Sequence, residues 1–155
     1  MSFVVTGLPA ERFAHLYGLS DANLAAHGAI RYTADSNPGF PDRVEMRDAE
    51  LGETLLLVNH ASVHQDTPYK TSHAIFVLEG ARTKYRAVDT IPDVMHRRLL
   101  SLRAFDPDGM MLDAALAEGD AIGDVARRLL DDPAVDRIHA HYAMRGCYAG
   151  MITRN

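Results

Sequence analysis

The residues best suited to chemistry lie near the C-terminal end, in the stretch RIHAHYAMRGCYAG from residue 137 to 150. It carries His139, His141 and Cys147, and Cys147 is the only cysteine of the chain. Side chains alternate between the two faces of a β-strand, so the two histidines point the same way and lie roughly 7 Å apart. Two imidazoles and a thiolate form a reasonable ligand set for zinc, with one position left open. One interpretation is therefore a site for a divalent metal such as zinc.

A nucleophilic thiol is the second interpretation. Cys147 would need a base within hydrogen-bond reach, for which His141 is the candidate, and Arg145 would supply the positive charge that favours a thiolate. The third interpretation is structural, with the histidines as hydrogen-bonded strand residues and the cysteine as a small buried hydrophobic residue. The spacing H-x-H-x5-C matches none of the strong metal-site signatures, so the sequence leaves all three open.

The length of the turn after the histidines decides whether Cys147 can join them. In a four-residue loop, Tyr142 pairs with Cys147 and the thiol faces away from both histidines. In a three-residue loop, Ala143 pairs with Cys147 and all three side chains share a face. The glycine at the end of the loop, Gly146, favours the three-residue form.

A second group of polar residues surrounds the long connection between two predicted strands, TLLLVNH (54–60) and HAIFVLEG (73–80). Both segments are short, rich in β-branched or aromatic residues and bounded by turn formers. If the strands pair, His60 and His73 flank the base of the loop, and both side chains face the same opening beside it. The candidate site for a ligand or metal combines this region with the C-terminal hairpin and consists of His60, His64, Tyr69, His73, Arg103, His139, His141 and Cys147.

Two functions of different class follow from this site. The first is a small-molecule or metal site, formed where the 60–73 loop meets the 137–150 hairpin, with Arg103 as the group that binds an anion. The second is a non-catalytic binding or regulatory domain, in which the histidines are structural and the loop contacts a partner. The sequence does not decide whether the chain is an enzyme or whether it forms a homo-oligomer.

The elements that must position these residues are short strands and helices. Strands are predicted over 2–7 and 29–34, and Ser20 is the candidate N-cap of a short helix that ends at Gly28. The clearest helix runs from 119 to 131, with Asp120 as its cap, Pro133 as its terminator and an apolar face of Ile122, Val125, Ala126 and Leu129. We predict an α+β fold whose largely antiparallel sheet carries several short helices and ends in a β-hairpin over 135–153.

A further hairpin joins the predicted strands LSLRAF and MMLDAAL. A three-residue loop, Pro107 to Gly109, would pair Asp106 with Met110 and therefore Arg103 with Asp113. Such an exposed cross-strand ion pair contributes about 0.2–1 kcal/mol.

Composition limits the function classes. The 155 residues are 47% hydrophobic and 24% charged, which fits one globular domain over residues 1–155. With a net charge of −5 and scattered cations, the chain lacks the basic stripe of a nucleic-acid-binding protein. We expect no signal peptide and no membrane span. A single cysteine suits a reducing compartment, so we expect a cytoplasmic protein.

Four segments also resemble a known family. They are GFPDRV followed by DAELGE (39–53), NHASVHQDTPYKTSHAIFV (59–77), RRLLSLRAFDPDGMM (97–111) and IHAHYAMRGCYA (138–149). In order and length they are similar to the bacterial domain-of-unknown-function family 1203. The resemblance implies a small, single-domain, cytoplasmic bacterial protein without an assigned activity, and it supplies no catalytic residue. A cysteine often precedes the arginine of the first segment in that family, where this chain has Asp42, which weakens any interpretation that needs two cysteines.

Overall fold

Two antiparallel β-sheets form the framework of the protein in a computed structural model that describes residues 1–155. The large sheet has the strand order β5-β1-β9-β8-β6-β7, and the small sheet has the order β2-β3-β4. The strands are β1 (Phe3–Thr6), β2 (Ile30–Thr33), β3 (Thr54–Val63), β4 (Thr71–Leu78), β5 (Arg86–Val88), β6 (Leu100–Phe105), β7 (Met111–Ala117), β8 (Arg137–Tyr142) and β9 (Tyr148–Arg154). The helices are α1 (Asp21–Ala26), α2 (Asp93–His96) and α3 (Ala121–Leu130), with single 3₁₀ turns at Ala10–Arg12 and Ala14–Leu16. The α+β prediction is confirmed.

Helix α3 and the small sheet cover opposite faces of the large sheet. Tyr142 and Ala149 belong to the core beneath α3, whereas Tyr148 belongs to the core shared with β3 and β4. Neighbouring residues of a strand point to opposite faces, so this division places the small sheet against the Tyr148 side of β8 and β9. None of the helices has the length and apolar composition that crossing a membrane requires.

The predicted helix α3 is confirmed, but its N-terminus differs from the prediction. Ile122, Ala126 and Leu129 are buried at helical spacing. Asp120 occupies the N-cap position without capping the helix, and its carboxylate instead lies 2.9 Å from Nε2 of His96. The cap prediction was wrong because Asp120 has helical backbone angles, whereas a capping residue has extended ones. By contrast, Ser20 caps α1 as predicted, since its hydroxyl accepts from the amide of Asn23 at 3.1 Å.

The hairpin of β6 and β7 has the predicted turn but not the predicted ion pair. Gly109 has φ of 87°, and the amide of Asp106 donates to the carbonyl of Met110 at 3.0 Å. A register shift next to Phe105 then places Ala114, and not Asp113, opposite Arg103. The predicted cross-strand pair is therefore wrong, because a β-bulge changes the pairing by one residue.

The C-terminal hairpin of β8 and β9 has the four-residue turn. The amide of Tyr142 donates to the carbonyl of Cys147 at 2.9 Å, and Gly146 takes a φ of 77°. The register shifts between Ala140 and His141, so that His141 lies opposite Tyr148 while Ala140 lies opposite Gly150. Without that shift the turn would have three residues, as predicted. The bulge places Cys147 on the face opposite both histidines.

Candidate functional site

Four histidines of the two sheets lie together, and three of them contact the ring of Tyr148. The ring centroid of Tyr148 lies 5.2 Å from that of His60, 5.4 Å from that of His139 and 5.9 Å from that of His141. His73 lies directly opposite His60 in the small sheet, and its ring contacts that of His141 with a centroid distance of 5.2 Å. We call His60, His73, His139 and His141 the histidine cluster. The cluster brings together the 60–73 loop and the 137–150 hairpin, the two segments predicted to form one site.

Burial keeps the histidine cluster uncharged. His141 is only 1% exposed, and His60 and His139 are also buried. Loss of hydration, followed by repulsion from nearby arginines, lowers the pKa of His60 to about 4 and that of His139 to about 3. Burial also lowers the pKa of His141 to about 4, and burial and then Arg103 lower the pKa of His73. These rings are therefore neutral at pH 7.

The cluster has ring nitrogens that make no hydrogen bond within the protein. Nδ1 of His141 lies 2.9 Å from the carbonyl oxygen of Gly146. A carbonyl can only accept, so we assign the proton of the neutral ring to Nδ1, which leaves Nε2 as an acceptor. Nδ1 of His73 and Nδ1 of His139 are buried without any partner. Buried polar groups normally have a partner, so these nitrogens are the first candidates for contacts with a ligand.

Arg103 places a positive charge beside these neutral rings. It lies opposite His139 in the pairing of β6 with β8, and its side chain is half-buried. Its Nε donates to the hydroxyl of Ser101 at 3.2 Å, and no carboxylate lies within ion-pair distance of its guanidinium. Burial lowers the pKa of Arg103 from its ordinary value. The site thus contains a cation without a counter-charge.

Cys147 does not belong to this site. Its sulfur accepts from Nη2 of Arg43 at 3.1 Å, and its side chain packs against the core beneath α3. His141 is therefore not positioned as its base, and the local cation is Arg43 rather than the exposed Arg145. The structure does not assemble the predicted zinc ligands His139, His141 and Cys147. No group of three or more His, Cys, Asp and Glu side chains is arranged so that it could hold a metal ion.

The two remaining predicted residues lie at the edges of the cluster. Tyr69 is 38% exposed, and its ring stands at 6.3 Å from that of Phe105, which in turn contacts His139. His64 is exposed and lines a groove that His60 also lines. Neither side chain belongs to the ring contacts around Tyr148.

Sequence reasoning missed Tyr148 and Arg43. Tyr148 lies in the C-terminal hairpin, but a three-residue turn would have put it opposite Tyr142 rather than opposite His141, and so hidden its role. Arg43 lies in a proline-rich loop without periodicity, so no sequence pattern indicates that it is buried. The sequence did contain a signal for Tyr148, because the alternative four-residue turn of the C-terminal hairpin pairs Tyr148 with His141.

The family of the chain is shown by a direct comparison. A family model described as "Protein of unknown function (DUF1203)" matches residues 39–154. The chain belongs to this family. The matched range of this DUF1203 member contains the whole histidine cluster and Arg103, whereas β1, α1 and β2 precede it. No curated protein and no solved structure matches the chain.

Proposed function

We propose that this protein binds a small organic anion at Arg103 and the histidine cluster. The observation that carries the proposal is the half-buried guanidinium of Arg103, which has no carboxylate partner. A guanidinium offers several donors in a planar fork that matches the two oxygens of a carboxylate. Removing such a cation from water without a counter-charge is unfavourable, and a bound anion would compensate for this.

The neutral imidazoles supply the second half of the recognition. Nε2 of His141 and Nδ1 of His139 are able to contact a hydroxyl, amine or acid group of the ligand. Imidazoles that stay neutral at pH 7 do not compete with Arg103 for the anion and are able to accept a hydrogen bond from the ligand. The ligand we propose therefore carries one anionic group and one hydrogen-bonding group.

Access to Arg103 favours a ligand with an apolar part. On the same face of the large sheet, Ala114 lies opposite Arg103 and Leu116 lies opposite Ser101. Both side chains are exposed, and Leu116 is 65% exposed. An organic anion would thus place its charge on Arg103 and its apolar part against β7. We further propose that the protein acts as one domain over residues 1–155 in the bacterial cytoplasm.

A structural role of the histidines is the second candidate, and the ring packing around Tyr148 favours it. Three imidazoles lie within 6 Å of the centroid of Tyr148 in tilted or T-shaped arrangements that stabilise aromatic pairs. In this case the protein is a non-catalytic binding or regulatory domain. The histidines then hold the two sheets together and contact no ligand.

Titration with 4-hydroxybenzoate, which carries a carboxylate, an apolar ring and a hydroxyl, tests the proposal when it is followed by NMR of the histidine and arginine side chains. We expect saturable shifts at Arg103, His139 and His141, which chloride at equal ionic strength does not produce. Arg103→Gln should abolish these shifts, while the matched variant Arg82→Gln, at an exposed arginine without an ion pair, should retain them. Saturation that is equal in both variants would contradict the proposal. No saturation in the native protein would also contradict it, and would favour the structural role.

A further inference from the structure

A second candidate site is a groove that His60 lines and Tyr148 does not. The groove of about 480 Å³ runs between the 3₁₀ turns, the end of α1 and β3. This volume lies within the range of about 300–1,000 Å³ that is typical of small-molecule sites. Its polar lining consists of Arg12, His15, His27, Asn59, His60 and His64, and its apolar lining includes Phe13, Leu16, Val58 and Ala61.

The side chains that line the groove carry positive charge and no negative charge. None of the residues that line it is acidic, and its cation, Arg12, makes no ion pair. The carboxylate of Asp21, at the start of α1, pairs with Arg31 instead. The imidazoles of His15 and His27 contact each other with a centroid distance of 5.6 Å. The groove therefore offers an arginine and several imidazole N–H donors to a negatively charged ligand.

The contact between Arg12 and His60 leaves the guanidinium of Arg12 available to donate hydrogen bonds to a ligand. Nη1 of Arg12 lies 3.5 Å from Nδ1 of His60, at the outer limit of a hydrogen bond, and this is the only hydrogen bond of the Arg12 side chain. A guanidinium can only donate, so Nδ1 of the neutral His60 is the acceptor. A phosphate oxygen is a stronger acceptor than a neutral ring nitrogen, and it would take over this donor.

From these contacts we infer that the groove binds a small phosphate monoester. A dianionic head would contact Arg12 and the surrounding imidazoles, which together provide more donors than a single carboxylate can use. The apolar body of the ligand would lie against Phe13, Leu16 and Val58. His60 lines the groove and also belongs to the histidine cluster, but Arg103, which carries the function proposed above, does not line the groove. The two sites are therefore tested separately.

Calorimetry with phenyl phosphate tests this inference, with phenol and phenyl sulfate as matched ligands. We expect phenyl phosphate to bind more tightly than phenyl sulfate, and phenol not to bind. Arg12→Gln should reduce the affinity for phenyl phosphate at least about tenfold. This is the loss expected when a charged hydrogen bond worth about 1.4 kcal/mol is removed. Amide NMR shifts should lie at Phe13, Gly28 and Ala61, all of which line the groove.

Two variants separate this site from the one at Arg103. Phenyl phosphate is itself an organic anion of the kind proposed for Arg103, so the groove is followed by its own signals. The shifts at Phe13, Gly28 and Ala61 should saturate at the same phenyl phosphate concentration in Arg103→Gln, in Arg82→Gln and in the native protein. Arg12→Gln concerns an exposed side chain, and an unchanged circular dichroism spectrum and melting temperature would show that it folds. The inference is wrong if phenyl phosphate does not bind, if Arg12→Gln binds it as tightly as the native protein, or if phenol binds equally well.

Discussion

The guanidinium of Arg43 and the thiol of Cys147 form a contact of 3.1 Å that joins the proline-rich loop to the C-terminal hairpin. Arg43 is 1% exposed, and its other donors bind the backbone carbonyls of Tyr148 and Pro41. The ring of Tyr142 lies against the same guanidinium, at 5.0 Å from its centroid. Cys147 thus supplies an acceptor to a buried cation that no carboxylate contacts.

Replacing Cys147 by alanine should destabilise the protein more than replacing it by serine. Alanine removes the acceptor of Nη2 of Arg43, and a buried donor left without a partner costs about 1–3 kcal/mol. Serine keeps an acceptor for Nη2 of Arg43, so Cys147→Ser should lose less stability than Cys147→Ala. Urea unfolding measures both changes, with Met144→Ala as a control at a residue that is 97% exposed. Equal stability of Cys147→Ala and the native protein would refute a supporting role for the contact.

The free energy of unfolding should fall as the pH falls below about 6.5. The unfolded chain binds protons at the usual histidine pKa near 6.5, whereas in the folded protein the pKa of His141 is about 4. The unfolded state therefore gains protons first, and each such histidine contributes a slope of about 1.4 kcal/mol per pH unit between these values.

His141→Asn isolates one of these contributions. The asparagine amide can still donate to the carbonyl of Gly146, but it does not titrate. Between pH 7 and pH 5, the free energy of unfolding measured with urea should fall by about 2 kcal/mol less in the variant than in the native protein. An equal fall in the two proteins would mean that His141 has the same pKa in the folded and unfolded states.

Arg103→Met should raise the pKa of His73 without reducing stability. Arg103 is the charged neighbour that lowers the pKa of His73, after burial itself. The guanidinium is partly desolvated and has no counter-charge, so its loss removes an unfavourable contribution to the folded state. NMR titration of the His73 ring and urea unfolding measure the two effects. A lower stability together with an unchanged His73 pKa would show that Arg103 serves packing and is not a free cation.

Two glycines should respond to alanine in opposite directions. A Cβ at Gly7 would lie 2.3 Å from the carbonyl oxygen of Val44 and 2.9 Å from that of Arg43, so backbone would have to move. We expect Gly7→Ala to lose about 1–3 kcal/mol, as overpacked sites do. Gly123 lies inside α3, where the nearest contact of a Cβ would be 3.5 Å away. Gly123→Ala should gain about 0.5–1 kcal/mol from helix propensity. Thermal melts of both variants check the opposite signs.

Patterns along the chain predict the local elements and one long-range pairing. The apolar spacing of Ile122, Ala126 and Leu129 predicts α3 because a helical period is a local property of the chain. The turn formers around 54–60 and 73–80 predict β3 and β4 in the same way, and their pairing places His60 opposite His73. These predictions are confirmed because each depends on residues that are close in sequence.

Tertiary packing, and no pattern along the chain, sets which side chains share a face in the two later hairpins. Register shifts beside Phe105 and between Ala140 and His141 separate Arg103 from Asp113 and turn Cys147 away from the histidines. A one-residue shift moves every following side chain to the other face, and the turn residues cannot reveal it. The packing of α3 and the small sheet on opposite faces of β8 and β9 selects the register. The sequence therefore determined the strands, and the packing between sheets determined that neutral imidazoles, without the thiol, gather around Tyr148.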